Sequence, residues 1–370
     1  MTCDFLALAR PGVQKLSPYV PGKPVEELAR EFGLQAQDIV KLASNENPMG
    51  PSPAVKAAIE AALPELTRYP DGNGFSLKQA LAERLGVATD GITLGNGSND
   101  ILELVTRAFV GPEHEVIFSD HAFAVYPIVT QAVGAKAVSV PAKNWGHDLV
   151  AMAAAITDST RLIFIANPNN PTGTWIERAE LEAFLAKVPE RVIVVLDEAY
   201  TEYVETDDVP NGMDYLSQYS NLLVSRTFSK AYGLAALRVG YGVSCPAIAD
   251  TLNRVRQPFN VNALALAAAL AALLDEPYLI ESRRLNRVGM QQLEDGCAAM
   301  GLSWVPSRGN FLAIDLGREA APVFQALLRE GVIVRPVANY GMPNHLRVTV
   351  GLPEENQRFL DALKLVMLRG

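Results

Sequence analysis

Cysteine is scarce in this chain of 370 residues: Cys3, Cys245 and Cys297 are far apart and odd in number. That argues against a disulfide framework and suits a reducing compartment, so a cytoplasmic protein is expected. The four histidines (His114, His121, His147, His345) fall at no metal-ligand spacing, so no metal site is expected. No block of basic residues occurs, and 41 acidic side chains outnumber 32 basic ones for a net charge of −9. Nucleic acid is therefore not the expected partner, although a small anion needs only a local positive pocket. No apolar run is long enough for a membrane span, and the richest, the Ala/Leu stretch over 263–274, reads as a buried helix. The N-terminus has no basic region leading into a long apolar stretch, so no signal peptide is expected. Internal repeats and low-complexity linkers are also lacking.

What remains is a chain with 49% hydrophobic and 20% charged residues, enough for a sizeable core and one large plus one smaller domain. Its middle alternates short β-rich runs with helical periodicity, the pattern of an α/β domain with a mostly parallel sheet between helix layers. Buried strands are predicted over 115–119, 135–140, 161–166, 192–196, 221–225 and 239–243, and helices over 98–109, 124–133, 177–187 and 263–274. We expect a large α/β domain over 36–260. A smaller α+β domain is expected from 1–35 and 261–370, with strands near 311–315 and 346–350 and the Pro-rich N-terminal segment wrapped onto it.

Polar motifs follow one predicted strand after another at its carboxyl end, where open α/β sheets bind ligands. After 192–196 comes Asp197-Glu198-Ala199-Tyr200. An acid at a buried strand end is costly unless paired, and a protonated ring nitrogen would pair it, although a capping Asp before a loop would look the same. After 161–166 comes Asn167-Pro168-Asn169-Asn170-Pro171-Thr172-Gly173, a rigid turn that can present the Asn170 amide. Gly95-Asn96-Gly97-Ser98-Asn99-Asp100 opens a helix, so its backbone N–H groups can cradle an anion. It lacks the Gly-Lys-Ser/Thr of a Walker loop, and Ser98 or Asn99 would also serve as a plain cap. Phe123, just past 115–119, is either a stacking ring or a core residue. Lys230, in Thr227-Phe228-Ser229-Lys230 with Arg238 eight residues on, can combine a reactive amine with a phosphate-holding set. Pyridoxal phosphate needs both.

These motifs occur together with Ser17-Pro18-Tyr19-Val20-Pro21-Gly22-Lys23-Pro24, Leu42-Ala43-Ser44-Asn45-Glu46-Asn47-Pro48 and Pro258-Phe259-Asn260-Val261-Asn262. Val334-Arg335-Pro336 and Leu346-Arg347-Val348 complete the set. With them the chain resembles, over nearly its whole length, the fold-type I pyridoxal-phosphate aminotransferases, and among these the histidinol-phosphate aminotransferase family.

The resemblance implies that Lys230 forms the Schiff base with pyridoxal 5'-phosphate, Asp197 pairs the ring nitrogen, and Tyr200 and Asn170 bind the ring oxygen. It implies that Gly97, Ser98, Asn99, Thr227, Ser229 and Arg238 hold the phosphate end. Tyr69 would reach in from the second subunit of a homodimer. Phe123 takes the stacking place where many relatives have Tyr or Trp; the π-face is kept and a hydroxyl lost. Tyr19, Asn45, Arg335 and Arg347 would line the substrate pocket.

The implied reaction is transamination between L-histidinol phosphate and 2-oxoglutarate, giving imidazole-acetol phosphate and L-glutamate. One pocket must then accept a phosphate and a carboxylate in turn, and two fixed guanidiniums suit that demand. Alternatives on the same scaffold are an aromatic or broad-specificity amino-acid aminotransferase and a phospho-amino-acid decarboxylase. A non-catalytic regulatory protein would have lost Lys230 or Asp197 or gained a DNA-binding module.

Overall fold

The computed structural model describes residues 3–19 and 21–369; Val20, within the Pro-rich string 17–24, lies outside the described residues. A seven-stranded sheet forms the large domain. In spatial order its strands are Ile92–Gly95, Gly240–Ser244, Leu222–Thr227, Ile193–Asp197, Thr160–Ala166, Glu115–Ser119 and Lys136–Val140. Gly240–Ser244 runs antiparallel to both neighbours; every other pairing is parallel. The predicted strands are found with ends shifted by at most two residues, and Ile92–Gly95 is an addition.

The alternation of side chains along each strand divides the core in two. Leu162 and Phe164 face one layer with Val116, Val195, Ile101 and Tyr126. Ile163 and Ile165 face the other with Ile117, Val194, Leu196 and Phe184. Both faces are covered by helices, which is why the central strands read as continuous apolar runs rather than alternating ones. Local signals set the helix ends. Ser52 caps Pro53–Ala62 with Pro53 in the first turn, and Glu177 and Glu180 form a reciprocal capping box on Arg178–Leu185.

The smaller domain is an antiparallel sheet in the order Arg335–Val337, Met342–Thr349, Phe311–Asp315, Ser303–Val305. Helices Glu276–Ala299, Ala320–Arg329 and Pro353–Arg369 contribute Leu293, Leu327, Phe359 and Leu363 to its core.

Two expectations about the domains change. Helix Ala263–Leu274, expected in the smaller domain, packs Ala265, Ala268, Ala269 and Leu273 against Leu77, Leu81 and Phe228 of the large one. We therefore place the boundary near 275, at the entry to helix Glu276–Ala299, because the buried face of this helix packs on the large domain. The N-terminal segment also divides. Leu28 and Ile39 pack with Leu328 and Ile333 of the smaller domain. Gly12 instead lies against the Gln131 carbonyl of the large domain, closer than any side chain would permit.

Among the described residues no single helix is long and apolar enough to cross a membrane, and no group of three or more His, Cys, Asp or Glu is placed to hold a metal ion.

Candidate active site

The parallel strands end on one edge of the sheet, and a cavity of about 150 Å³ opens there. Its lining includes Ser98, Asn99, Phe123, Asn170, Asp197, Tyr200, Thr227, Ser229, Lys230 and Arg238. These residues come from six separate strand ends. Arg238 precedes its strand instead of following it, and it reaches the same edge because that strand is antiparallel.

One end of the cavity holds a buried carboxylate. Asp197, 5% exposed, accepts a hydrogen bond from the Tyr126 hydroxyl on Oδ2 at 2.9 Å, while its Oδ1 has no partner. Burial pushes its pKa up to about 6; the Tyr126 hydrogen bond works against that shift and the neighbouring Glu198 adds to it. Glu198, the first residue past the strand, has its own separate set of partners. Its Oε2 accepts from Arg226 Nε and Nη2 at 2.9 and 2.7 Å, and its Oε1 accepts from the Gly212 N–H at 2.6 Å. This buried ion pair ties the end of one strand to the next, just ahead of Lys230.

Lys230 stands on the cavity wall, its Nζ donating to the Ser44 carbonyl at 3.1 Å and lying 5.8 Å from the Tyr200 ring centre. Burial, with help from the Arg347 charge, lowers its pKa to about 7. A fraction of the amine is therefore neutral, hence nucleophilic, near pH 7. The shift has a stability consequence in the protein without any bound ligand. Between pH 7 and the ordinary lysine value of 10.5 the unfolded chain binds this proton and the folded one does not. Stability against urea should therefore rise with pH across that window, relative to a Lys230→Met variant. Parallel pH dependences for the two proteins would refute the assignment.

Tyr200 is buried, and its hydroxyl accepts from Asn45 Nδ2 at 2.9 Å. Burial raises its pKa to about 12, so the hydroxyl keeps its proton for donation. Asn170 accepts from Arg347 Nη1 on its Oδ1, which leaves its amide hydrogens as donors. Phe123 stands edge-on to Tyr126, with ring centres 5.9 Å apart.

The other end is built for an anion. Gly97, at φ +76°, precedes helix Ser98–Phe109, which has no side-chain cap, so its first N–H groups are open to a ligand. Arg238 adopts the left-handed region at φ +58°, and its Nη1 donates to Ser229 Oγ at 3.3 Å and to the Ala235 carbonyl at 3.0 Å. Such a conformation costs about 1–3 kcal/mol outside glycine and is concentrated at functional sites. A Cβ at Gly97 would strike the Arg238 guanidinium. Gly97→Ala should thus weaken binding of a phosphorylated ring ligand about tenfold or more through φ strain and displacement of Arg238; unchanged affinity by equilibrium dialysis would contradict the cradle.

On the smaller-domain side, Arg347 is buried, donates through Nη2 to the Ala43 carbonyl at 2.7 Å and keeps an unpartnered Nε. Arg335 lies 5.6 Å over the ring of Tyr19, which is 52% exposed. Asn45, 1% exposed at φ +53°, backs Tyr200 and receives its own support from Thr349. Tyr69 is 83% exposed and stacks on Phe259, with ring centres 4.7 Å apart; it does not line the cavity of its own chain. Tyr126, Ser44 and the Glu198–Arg226 pair belong to the site's framework and were not singled out from the sequence. A buried tyrosine in an apolar helix carries no local signal of its distant acceptor.

An unpaired buried carboxylate oxygen, a depressed amine and an anion cradle around one cavity fit a flat ring with a protonated nitrogen, a phosphate arm and a carbonyl.

Residues 37–363 match the family of class I and II aminotransferases. The chain is 72% identical, over all of both chains, to histidinol-phosphate aminotransferase 2 of Pseudomonas fluorescens. It is 69% identical to the protein of that name from Pseudomonas aeruginosa, over 98% of this chain and 99% of that one. Among solved structures, histidinol-phosphate aminotransferase from Sinorhizobium meliloti in complex with pyridoxal-5'-phosphate superposes with a TM-score of 0.89 at 32% identity, covering 97% of each chain.

Proposed function

The chain belongs to the class I and II aminotransferases, and from that footing we propose that it is a fold-type I pyridoxal-phosphate enzyme transferring the amino group of L-histidinol phosphate to 2-oxoglutarate. The products are imidazole-acetol phosphate and L-glutamate, a step of histidine biosynthesis. The observation that carries the chemistry is the pairing, on one cavity, of a lysine amine with a pKa near 7 and a buried carboxylate oxygen that lacks a donor. The substrate choice is supported by full-length likeness to proteins of that name.

Bound pyridoxal 5'-phosphate supplies an aldehyde that exchanges amines and a ring that takes up the electron pair left when the substrate C–H bond breaks. We assign the remaining tasks to this chain. Lys230 would be the amine that holds the cofactor, and the same amine would carry the proton away from the substrate carbon and later return one. Asp197 Oδ1 would receive the ring N–H and keep that nitrogen charged. Tyr200 and Asn170 donate toward the ring oxygen, and Phe123 supplies a flat wall. Gly97, Ser98, Asn99, Thr227, Ser229 and Arg238 take the phosphate. The free Nε of Arg347, with Arg335 beside Tyr19, meets the substrate anion. Tyr69, exposed and not part of the lining of its own cavity, supports a homodimer in which it completes the partner's phosphate site.

The test is a half-reaction. L-Histidinol phosphate is added to the cofactor-loaded protein without keto acid, and the cofactor's visible absorbance is followed, with L-phenylalanine and L-glutamate alongside. Fast loss of absorbance with histidinol phosphate and slow loss with phenylalanine is the expected result. The reverse order would move the function to a general amino-acid aminotransferase, and release of CO₂ from a phosphorylated amino acid would identify a decarboxylase.

A further inference from the structure

We propose that Tyr126 is a positioning residue that divides the two oxygens of Asp197, holding Oδ2 for the protein so that Oδ1 stays aimed at the cofactor ring. The inference rests on the reading of this cavity as a pyridoxal-phosphate site. Strand alternation sends the Asp197 side chain toward the same core layer as Val195, where Tyr126 lies. There the Tyr126 hydroxyl donates to Oδ2 at 2.9 Å, and Tyr126 is 0% exposed.

A carboxylate at a strand end can turn about its own side-chain bonds, and two features oppose the turn here. The hydroxyl's acceptor is Asp197, so a turned carboxylate would strand a buried donor as well as an acceptor. The phenol ring is also immobilised. It stacks on Phe164 with centres 4.6 Å apart and planes 4° from parallel, and it meets Phe123 edge-on. One tyrosine therefore sets both the acid at the ring nitrogen and the aromatic wall beside the ring.

The hydrogen bond also stabilises the charged form of Asp197. The titratable groups facing this carboxylate are Tyr126 from helix Val125–Ala132, Glu198 beside it and already bound to Arg226, and Tyr200. Lys230 shares the cavity. Of these, Tyr126 is the donor, so its removal moves the Asp197 titration upward. A protonated Asp197 cannot accept the ring N–H, and the loss is therefore confined to the acidic side.

The experiment is Tyr126→Phe, which removes one oxygen and keeps both ring contacts. Pyridoxal phosphate affinity should fall about fivefold at pH 6 and stay within about twofold of wild type at pH 8.5. The acidic limb of the half-reaction rate should move up by about one pH unit. Lys230 titrates in both proteins, so the difference between them isolates Asp197. In an Asp197→Asn background, Tyr126→Phe should change cofactor affinity no further. An unmoved acidic limb, an equal loss at every pH, or a full further loss in the Asp197→Asn background would each overturn the proposal and leave Tyr126 as packing. Failure of the wild-type protein to bind the cofactor would instead remove the reading on which the proposal rests.

Discussion

Lys230→Ala is expected to abolish transamination, with kcat lower by on the order of 10⁴-fold or more, because one amine both holds the cofactor and moves the substrate proton. The variant should still bind pyridoxal phosphate through the cradle of Gly97, Ser98, Thr227, Ser229 and Arg238, but with the absorption of a free aldehyde. Steady-state assays and a visible spectrum measure the two effects separately. Activity near that of the wild type would end this account of the site. The Ser44 carbonyl that holds the amine at 3.1 Å accepts a hydrogen bond and leaves the lone pair of the neutral form available. The Arg347 charge, a second contributor to the lowered pKa, ties lysine reactivity to the arginine we propose for the substrate anion.

Asp197→Ala is expected to cost the next largest amount, about 10²–10³-fold in kcat, with weakened cofactor binding. Burial of Asp197 is costly in the free protein, as its raised pKa records. A ring N–H on Oδ1 would offset that cost, and a water-accessible acid could not provide the same strength of pairing. The variant loses the charge that keeps the ring nitrogen protonated, so the half-reaction should slow far more than the binding of substrate anions by Arg335 and Arg347. Equal loss of kcat and of substrate affinity would point to a collapsed pocket instead.

Much of this arrangement was legible in the sequence because its signals are local. Helix Ser98–Phe109, helix Ala263–Leu274, strand Glu115–Ser119 and strand Phe311–Asp315 have the predicted bounds, each being a clean periodic run with polar or glycine punctuation. The residues that line the cavity also carry local motifs at strand ends. Strand Ile92–Gly95 was missed because four residues give too short an alternation to read, and its role depends on pairing with Gly240–Ser244 far along the chain. Helix Glu276–Ala299 was missed because its polar composition hides a buried seam of Leu279, Gly289, Leu293 and Cys297. The domain boundary was misplaced because helix Ala263–Leu274 is apolar on all sides and so does not reveal which neighbours it chooses. Tyr126 was missed for a similar reason: its acceptor is 71 residues away, and only the folded sheet brings them together.

The single reversed strand has a consequence for how the protein matures. Because Gly240–Ser244 runs against its neighbours, the anion cradle draws on residues near 97, 227 and 238 that meet only when the last strand has slotted between Leu222–Thr227 and Ile92–Gly95. A nascent or partly unravelled chain would therefore lack part of the cradle that the finished sheet assembles. A coenzyme that binds only the completed cradle would then stabilise the finished fold by RT ln(1 + [L]/Kd), so folding and coenzyme binding would be linked through one strand.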